Sequence, residues 1–217
     1  IYLLKAMHTY DVRNLIFSSS ASVYGMPKKL PLTEGHYCEP ISPYARTKLF
    51  CEKIIEDTYY RLGNLNYANL RYFNPAGAHS SGLLGELSLK KNTNLFPVVC
   101  DIALGQDKTF FINGCDYETD DGSPMREFLH VDDLASACLT AMLEYNGRGH
   151  LNVGTGEDVT IKELAQTIAD VVGFKGGIIW DTLKPNGTPK KVMSIDKIKE
   201  LGWKPSIDLK SGVQDTY

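Results

Sequence analysis

A tyrosine and a lysine four residues apart are the pair in this sequence best suited to chemistry. Tyr44 and Lys48 follow Ser42 and Pro43, and a serine N-cap with proline at the first helical position predicts a helix that begins here. Residues four apart share one helical face, so the ammonium should stand beside the phenol. A free phenol has a pKa of about 10, and a nearby cation stabilises the phenolate. Such a pair could transfer a proton near neutral pH. Taken alone, it is also typical of a solvated helical face, so its context matters.

That context is a strand that ends in hydroxyl groups. Residues 14–17 are short, apolar and β-prone, and they lead into Ser18, Ser19 and Ser20. In an open parallel sheet, ligands bind at the carboxyl ends of the strands. A serine at this position could reach the same substrate oxygen as Tyr44.

Two segments together resemble the extended short-chain dehydrogenase/reductases that act on nucleotide sugars, and in detail the UDP-glucose 4-epimerases. They are Phe-Ser-Ser-Ser-Ala-Ser-Val-Tyr-Gly at 17–25 and Ser-Pro-Tyr-Ala-Arg-Thr-Lys at 42–48. The resemblance implies a catalytic triad of Ser20, Tyr44 and Lys48 working with bound NAD. The NAD contacts that it implies are Ser18, Ser20, Tyr44, Lys48, Tyr72 and Phe73.

A third segment, Leu-Arg-Tyr-Phe-Asn-Pro-Ala-Gly-Ala-His at 70–79, matches the 4-epimerase signature closely. Physically it is a strand end that Pro75 and Gly77 should turn sharply. We expect the turn to place Asn74 and His79 beside the cleft. The resemblance implies that Asn74 binds the diphosphate region of the substrate.

The resemblance extends to further substrate contacts. Asn94 precedes a predicted helix that runs to about residue 105, whose N-terminus suits diphosphate oxygens. The β-prone residues 109–114 correspond to a strand that lines uracil in the 4-epimerases, although a structural edge strand fits equally well. Arg126 is the expected diphosphate ligand, since a guanidinium fork matches phosphate geometry. The full predicted substrate set is Ser20, Tyr44, Asn74, Asn94, Phe111, Ile112, Asn113 and Arg126.

From about Pro124 onward the sequence resembles GDP-fucose synthase more than the 4-epimerases. Residues 124–130 and 184–191 both favour that family. The 4-epimerases commonly carry an arginine and a Gly-Asp pair in the latter loop, and those residues are missing here. The lysines of this loop, Lys184, Lys190 and Lys191, either contact phosphate or form a solvated surface. The identity of the base therefore stays open at this point.

Side chains near Ser20 separate three reactions that share the tyrosine and lysine. Nucleotide-sugar dehydratases place Thr-Asp-Glu where this chain has Ser20-Ala21-Ser22, and Ala21 and Ser22 supply neither the acid nor the base that elimination needs. GDP-fucose synthase needs a cysteine at the position of Ser22, opposite a histidine matching His79, for its epimerisation step. This chain has the histidine but not the cysteine, so only the 4-ketoreductase step of that enzyme remains possible. A 4-epimerase needs hydride transfer and one acid/base tyrosine. The sequence favours a UDP-hexose 4-epimerase.

Composition excludes several other classes of protein. The formal net charge is -3, which argues against a nucleic-acid partner. No apolar run approaches the roughly 18 residues of a membrane span, and no signal peptide opens the chain. The five cysteines are odd in number and scattered, which indicates reduced thiols in the cytoplasm. The five histidines are equally dispersed, so we expect no metal site.

Strands alternating with helices predict an α/β fold. By resemblance, it is a partial Rossmann-type, doubly wound parallel sheet with a smaller α/β substrate-binding domain. Residues 1–76 are the expected C-terminal half of the NAD-binding domain, and 77–217 form mainly the nucleotide-sugar region, with 127–155 packing back on the first domain. No Gly-x-Gly-x-x-Gly loop occurs, so we expect the cofactor-binding first half to lie outside this sequence. A chain that truly began at Ile1 would instead be an inactive sugar-nucleotide-binding fragment.

The predicted helix 43–62 also suggests self-association. It carries more apolar positions than one buried stripe requires, and the 4-epimerases pair such helices. A homodimer is therefore expected. The apolar positions in question are Leu49, Phe50, Ile54, Ile55 and Tyr59.

Overall fold

The computed structural model places the chain in two compact units, each assembled from separate segments. The first unit comprises residues 1–73, 134–156 and 193–204, and the second comprises 74–133, 157–192 and 205–217. The residues that the structure describes are 1–85, 97, 109–113, 116–181 and 188–217, with the backbone alone for 109–113 and 181.

The helices and strands in these residues alternate through much of the chain. The helices are α1 (Tyr2–Thr9), α2 (Pro43–Leu62), α3 (Val131–Glu144), α4 (Ile161–Val172), α5 (Asp196–Lys199) and α6 (Leu209–Thr216), with a 3₁₀ helix at Ala21–Tyr24. The strands are β1 (Asn14–Ser18), β2 (Asn66–Arg71), β3 (Asn74–Ala76), β4 (Thr109–Asn113), β5 (Met125–Arg126), β6 (Phe128–His130), β7 (Arg148–Asn152), β8 (Val159–Thr160) and β9 (Gly177–Asp181).

Helix α2, which carries Tyr44 and Lys48, has the predicted bounds because both ends are capped locally. The Ser42 hydroxyl accepts a hydrogen bond from the Ala45 N–H at 3.1 Å, which satisfies one of the free donors of the first turn. Gly63 ends the helix with φ of 72°, a left-handed conformation that glycine adopts without a steric cost.

The first unit is built on a parallel sheet in the order β1-β2-β7. Ser18 is paired with Leu70, and Leu70 in turn with Leu151, so the three strands end together. The buried residues Met7, Ile55, Leu65 and Tyr67 join α1 and α2 to the sheet. This parallel sheet confirms the predicted α/β class, and it brings the loops after β1 and β2 side by side.

The second unit contains three two-stranded pairings. Strands β3 and β6 are parallel, as are β4 and β9, whereas β5 and β8 are antiparallel. Helix α4 begins where the Thr160 hydroxyl accepts the Glu163 N–H at 3.0 Å. Its buried face and α6 share a core of Ile161, Leu164, Ala165, Ile168 and Val213.

One local expectation needs correction, and two features were not predicted. Residues 74–76 form strand β3 rather than a simple turned strand end, because they pair with β6. The Asp133 carboxylate accepts the N–H groups of Ser206 and Ile207, while the Asp132 N–H donates to Nδ1 of His130. Helix α6 was not predicted, although Asp208 caps it by accepting the Ser211 N–H at 2.9 Å.

Among the described residues, no helix is both long enough and apolar enough to cross a membrane. The described cysteines, Cys38, Cys51 and Cys138, are free thiols. The assignment of residues 1–76 to cofactor binding and of 77–217 to the nucleotide sugar stays a prediction.

Candidate active site

The first turns of α2 present Tyr44 and Lys48 together. The Nζ atom of Lys48 lies 5.8 Å from the centroid of the Tyr44 ring, so the cation is beside the phenol as the spacing predicted. Tyr44 is 57% exposed, which leaves its ring open to a ligand. The Ser42 cap fixes the start of the helix and therefore the position of both side chains.

Lys48 also reaches the end of strand β1. Its Nζ donates to the carbonyl oxygen of Ser18 at 2.7 Å and lies 5.2 Å from the ring centroid of Phe17. This bond uses one of the three donors of an ammonium group. The predicted meeting of the α2 face with the carboxyl end of β1 is therefore present, and it depends on the side chain of Lys48.

The serine loop that follows β1 is held in one conformation. Ser20 is buried, its hydroxyl accepts the Ser22 N–H at 3.2 Å, and its Oγ lies 2.8 Å from Oγ of Ser22. Ser20 thereby caps the 3₁₀ helix Ala21–Tyr24. The Ala21 N–H donates to the carbonyl oxygen of Tyr72 at 3.0 Å, which ties this loop to the end of β2.

The other predicted cofactor residues lie at the same two strand ends. The hydroxyl groups of Ser18 and Tyr72 are hydrogen-bonded to each other. Phe73 packs against a core cluster that includes Ala21 and Tyr24. The structure thus brings Ser18, Lys48 and Tyr72 into one group, with Phe73 beside the serine loop.

A buried ion pair behind this group was missed by the sequence analysis. The Glu52 carboxylate accepts a hydrogen bond from the Ser19 hydroxyl at 2.5 Å. It also accepts hydrogen bonds from Nε and Nη2 of Arg71 at 3.0 and 2.6 Å. Burial alone would lower the pKa of Arg71, but the hydrogen bonds and charge of Glu52 raise it above its ordinary value. One signal was available, because Glu52 lies four residues beyond Lys48 and so continues the face of Tyr44.

A second tyrosine close to the ion pair is unsuited to acid/base chemistry. Tyr24 is buried, and its hydroxyl donates to Oδ1 of Asn152 at 2.7 Å. Burial raises its pKa to about 12, although the Arg71 guanidinium, 4.8 Å from the ring centroid, opposes that rise. Tyr24 is therefore a structural hydrogen-bond donor.

The second unit holds the predicted ligands Asn74 and Arg126. Nδ2 of Asn74 donates to the backbone oxygen of Glu127 at 2.9 Å. Nη1 of Arg126 donates to the Met125 carbonyl at 2.7 Å, which orients the guanidinium. Burial lowers the pKa of Arg126, and burial followed by the charge of Arg126 lowers that of Lys191. The charge of Arg126 therefore acts on Lys191, and both cations are partly buried in the second unit.

Several predicted residues have no described side chain. Asn94 and Lys184 lie outside the described residues. The segment Phe111, Ile112 and Asn113 is a strand, as predicted, and pairs with residues 179–181 of β9, but only its backbone is described. Within the described part of the chain, no cluster of histidine, cysteine or acidic residues could hold a metal ion.

Two relatives, which carry the names of different enzymes, match this chain over different lengths. UDP-glucose 4-epimerase 2 of Arabidopsis thaliana is 36% identical over 220 residues, which cover 99% of this chain and 62% of that protein. The relative named probable GDP-L-fucose synthase 1, from Oryza sativa subsp. japonica, is 57% identical over 96 residues, or 44% of this chain and 29% of that protein. The chain thus spans less than two thirds of the length of either relative.

A solved structure is similar over nearly the whole chain. The UDP-glucose 4-epimerase of Stenotrophomonas maltophila, crystallised with NAD and formylated UDP-arabinopyranose, superposes with a TM-score of 0.93 at 35% identity. The match covers 99% of this chain and 65% of that one. It confirms the predicted Rossmann-type fold.

The model of the NAD dependent epimerase/dehydratase family matches residues 1–154. This range includes the serine loop, α2 and the ends of β1 and β2. The chain belongs to the NAD dependent epimerase/dehydratase family.

Proposed function

We propose that the complete protein is an NAD-dependent 4-epimerase that interconverts UDP-glucose and UDP-galactose. The observation that carries the proposal is the bond from Lys48 to the Ser18 carbonyl, 2.7 Å long, because it holds the α2 face of Tyr44 at the serine strand end. An acid/base phenol, a cation and a serine loop are then grouped where ligands bind in a parallel sheet. The Arabidopsis relative and the solved structure, both named UDP-glucose 4-epimerases, support the same reaction.

The proposed roles follow from the chemistry of each side chain. Tyr44 takes the proton of the sugar 4-hydroxyl and later returns it to the 4-keto sugar. Lys48 stabilises the phenolate, since an opposite charge beside a phenol favours its ionised form. Ser20 donates a hydrogen bond to the sugar 4-oxygen. The loop contacts of Ser22 and Ala21 hold Ser20 in place for this role.

The grouped residues also fit the nicotinamide ribose of NAD. Lys48 donates one hydrogen bond to the Ser18 carbonyl, and its other two N–H donors suit ribose hydroxyls. Ser18 and Tyr72 offer further hydroxyl groups at the same strand ends. When bound, NAD supplies the hydride acceptor and donor for C4, while the protein binds and orients.

The reaction itself can be tested on the complete protein. UDP-glucose should be converted to UDP-galactose, with no net change in the oxidation state of the nicotinamide pool. Chromatography of the nucleotide sugars and the absorbance of reduced nicotinamide would measure both. A dehydrated 4-keto-6-deoxy product would contradict the proposal, since Ala21 and Ser22 provide no acid or base for elimination.

We propose uridine as the base and Arg126 with Lys191 as diphosphate ligands. The Arg126 side chain is oriented by backbone carbonyls, which suits recognition of a phosphate oxygen. UDP should compete with the bound nucleotide sugar at least about tenfold better than GDP, because mispaired base edges leave polar groups unsatisfied.

A competition titration on the complete protein would measure this preference. The Arg126→Met variant should weaken UDP and GDP by the same factor, since both carry a diphosphate. Tighter competition by GDP than by UDP would show that the base has been chosen wrongly.

A second function has a specific observation in its favour, namely the 57% identity over 96 residues to the rice relative. This function is a GDP-sugar 4-ketoreductase. Tyr44 would donate a proton to the 4-keto oxygen, and the serine at position 22 would leave the protein without a thiol for epimerisation. Steady consumption of reduced nicotinamide with a GDP-4-keto-hexose, together with no conversion of UDP-glucose, would favour it.

We also propose that the complete protein is a homodimer that pairs through α2. Ile55 is buried in the first unit, whereas Phe50 is 62% exposed and Ile54, one turn later, is 38% exposed. An exposed apolar pair on a long helix is a suitable dimer contact. The Phe50→Glu variant should raise the dimer dissociation constant by about 30-fold, a change typical of a central interface residue.

Sedimentation at micromolar concentration would measure the dimer. Tyr37→Glu is the matched control, because Tyr37 is 83% exposed on a loop. A wild-type protein that sediments only as a monomer would refute the homodimer.

The cellular setting follows from the proposed substrate. Interconversion of UDP-glucose and UDP-galactose is a reaction of galactose metabolism. We place the protein in the cytoplasm on account of its scattered cysteines, of which the three in the described residues, Cys38, Cys51 and Cys138, are free thiols.

A further inference from the structure

The ion pair of Glu52 and Arg71 has no role in the proposed reaction, yet it lies directly behind the residues that perform it. The two residues are 1% and 2% exposed. Glu52 lies one helical turn beyond Lys48, and Arg71 is the last residue of β2, next to Tyr72. Burying two charges carries a desolvation cost that their attraction often fails to recover. A role other than stability is therefore worth seeking.

The carboxylate of Glu52 joins α2 to the ends of two strands. It accepts hydrogen bonds from the hydroxyl of Ser19, which follows β1, and from the guanidinium of Arg71, which ends β2. A fork that donates two parallel bonds fixes direction as well as distance. The helix therefore has one defined position against both strand ends.

The serine loop is fastened to α2 at two successive residues. Lys48 donates to the carbonyl of Ser18, and the hydroxyl of Ser19 donates to Glu52. Because Lys48 and Glu52 are four residues apart on one helical face, these two bonds attach that face of α2 to the strand end at two points. Ser20 follows these two attachment points directly.

We propose that Glu52 is a positioning residue, which with Ser19 and Arg71 sets the location of Tyr44 and Lys48 relative to Ser20. This inference rests on the proposed function, since it assigns a purpose to the geometry of that site. Glu52 acts through its neighbours, so substrate affinity should be preserved while turnover falls. Small displacements of reacting groups reduce rates strongly without breaking binding contacts.

Two variants of the complete protein test the proposal. Glu52→Gln keeps the size of the side chain but places an amide against the Arg71 fork. Ser19→Ala removes only the link to the serine loop and leaves the ion pair intact. Each should lower kcat by about tenfold with KM within about twofold of wild type, when measured well below the melting temperature.

Glu56→Gln is the matched control, because it is the same change four residues later on α2 and its carboxylate pairs with the exposed Lys53. It should leave kcat and KM unchanged. A folded Ser19→Ala variant with the kcat of wild type would overturn the proposal. So would a Glu52→Gln variant whose melting temperature falls while its kcat stays at the wild-type value. Tyr44→Phe is measured alongside, since an active Tyr44→Phe variant would instead refute the proposed function.

Discussion

Replacing Tyr44 by phenylalanine should lower kcat of the complete protein by at least about 100-fold, the usual loss when an acid/base group is removed. The ring stays, so its contact with the Lys48 ammonium persists. Only the oxygen that takes and returns the substrate proton is lost. Affinity for the UDP-sugar should change by no more than about tenfold, since one hydrogen bond is removed.

Tyr60→Phe is the matched control for this experiment. Tyr60 lies on the same helix, is 73% exposed, and loses the same single oxygen atom. Its turnover should equal that of wild type. Near-normal turnover in Tyr44→Phe would remove Tyr44 from the mechanism, because no other described tyrosine shares a helical face with Lys48 at this strand end.

The parts of the fold that could be predicted are those specified by neighbouring residues. The start of helix α2 at Pro43 was predicted because its serine cap and its first-turn proline act within one turn. Strand β3 was missed because its partner, residues 128–130, is distant in the sequence. Helix α6 was missed although its cap is local, since only Asp208 and Ser211 mark its start.

The candidate site divides in the same way. The spacing of Tyr44 and Lys48 is a local property of a helix, and it predicted their contact. The pairing of Glu52 with Arg71 joins residues 19 apart, and the bond of Ser19 to Glu52 joins residues 33 apart. A single sequence contains no local signal for such pairings, although the helical face that carries Glu52 was already identified.

A histidine beside the same ion pair should make stability depend on pH. His150 lies on β7, with Nδ1 3.3 Å from Nδ2 of Asn69 and 3.6 Å from the Glu52 carboxylate. Burial lowers its pKa to about 4, and the positive charges of Arg71 and Lys197 act in the same direction. Glu52 and Glu56 oppose this effect, but Arg71 already occupies the Glu52 carboxylate. We therefore take His150 as neutral in the folded protein at pH 7.

A depressed histidine pKa has no effect on stability above the unfolded value, and it destabilises the fold as the pH falls below that value. In the unfolded chain His150 should titrate near 6.5, so at lower pH the unfolded state binds a proton that the folded state does not bind. The free energy of unfolding should then fall by about 3 kcal/mol between pH 7 and pH 4 on account of this residue. Denaturant unfolding across that range would measure the change.

Two substitutions isolate the contribution of His150 from that of the carboxylates, which also titrate on acidification. His150→Gln keeps a polar group opposite Asn69 but cannot bind a proton, so its unfolding free energy should fall by about 3 kcal/mol less than that of wild type over the same range. His8→Gln removes an exposed histidine of α1 and should reproduce the wild-type curve. If His150→Gln follows the wild-type curve as well, His150 binds protons equally in the folded and unfolded states, and the prediction is wrong. If wild type instead loses less stability than His150→Gln, Glu52 holds His150 protonated in the folded protein, and the polar network behind Tyr44 then holds two cations around one carboxylate.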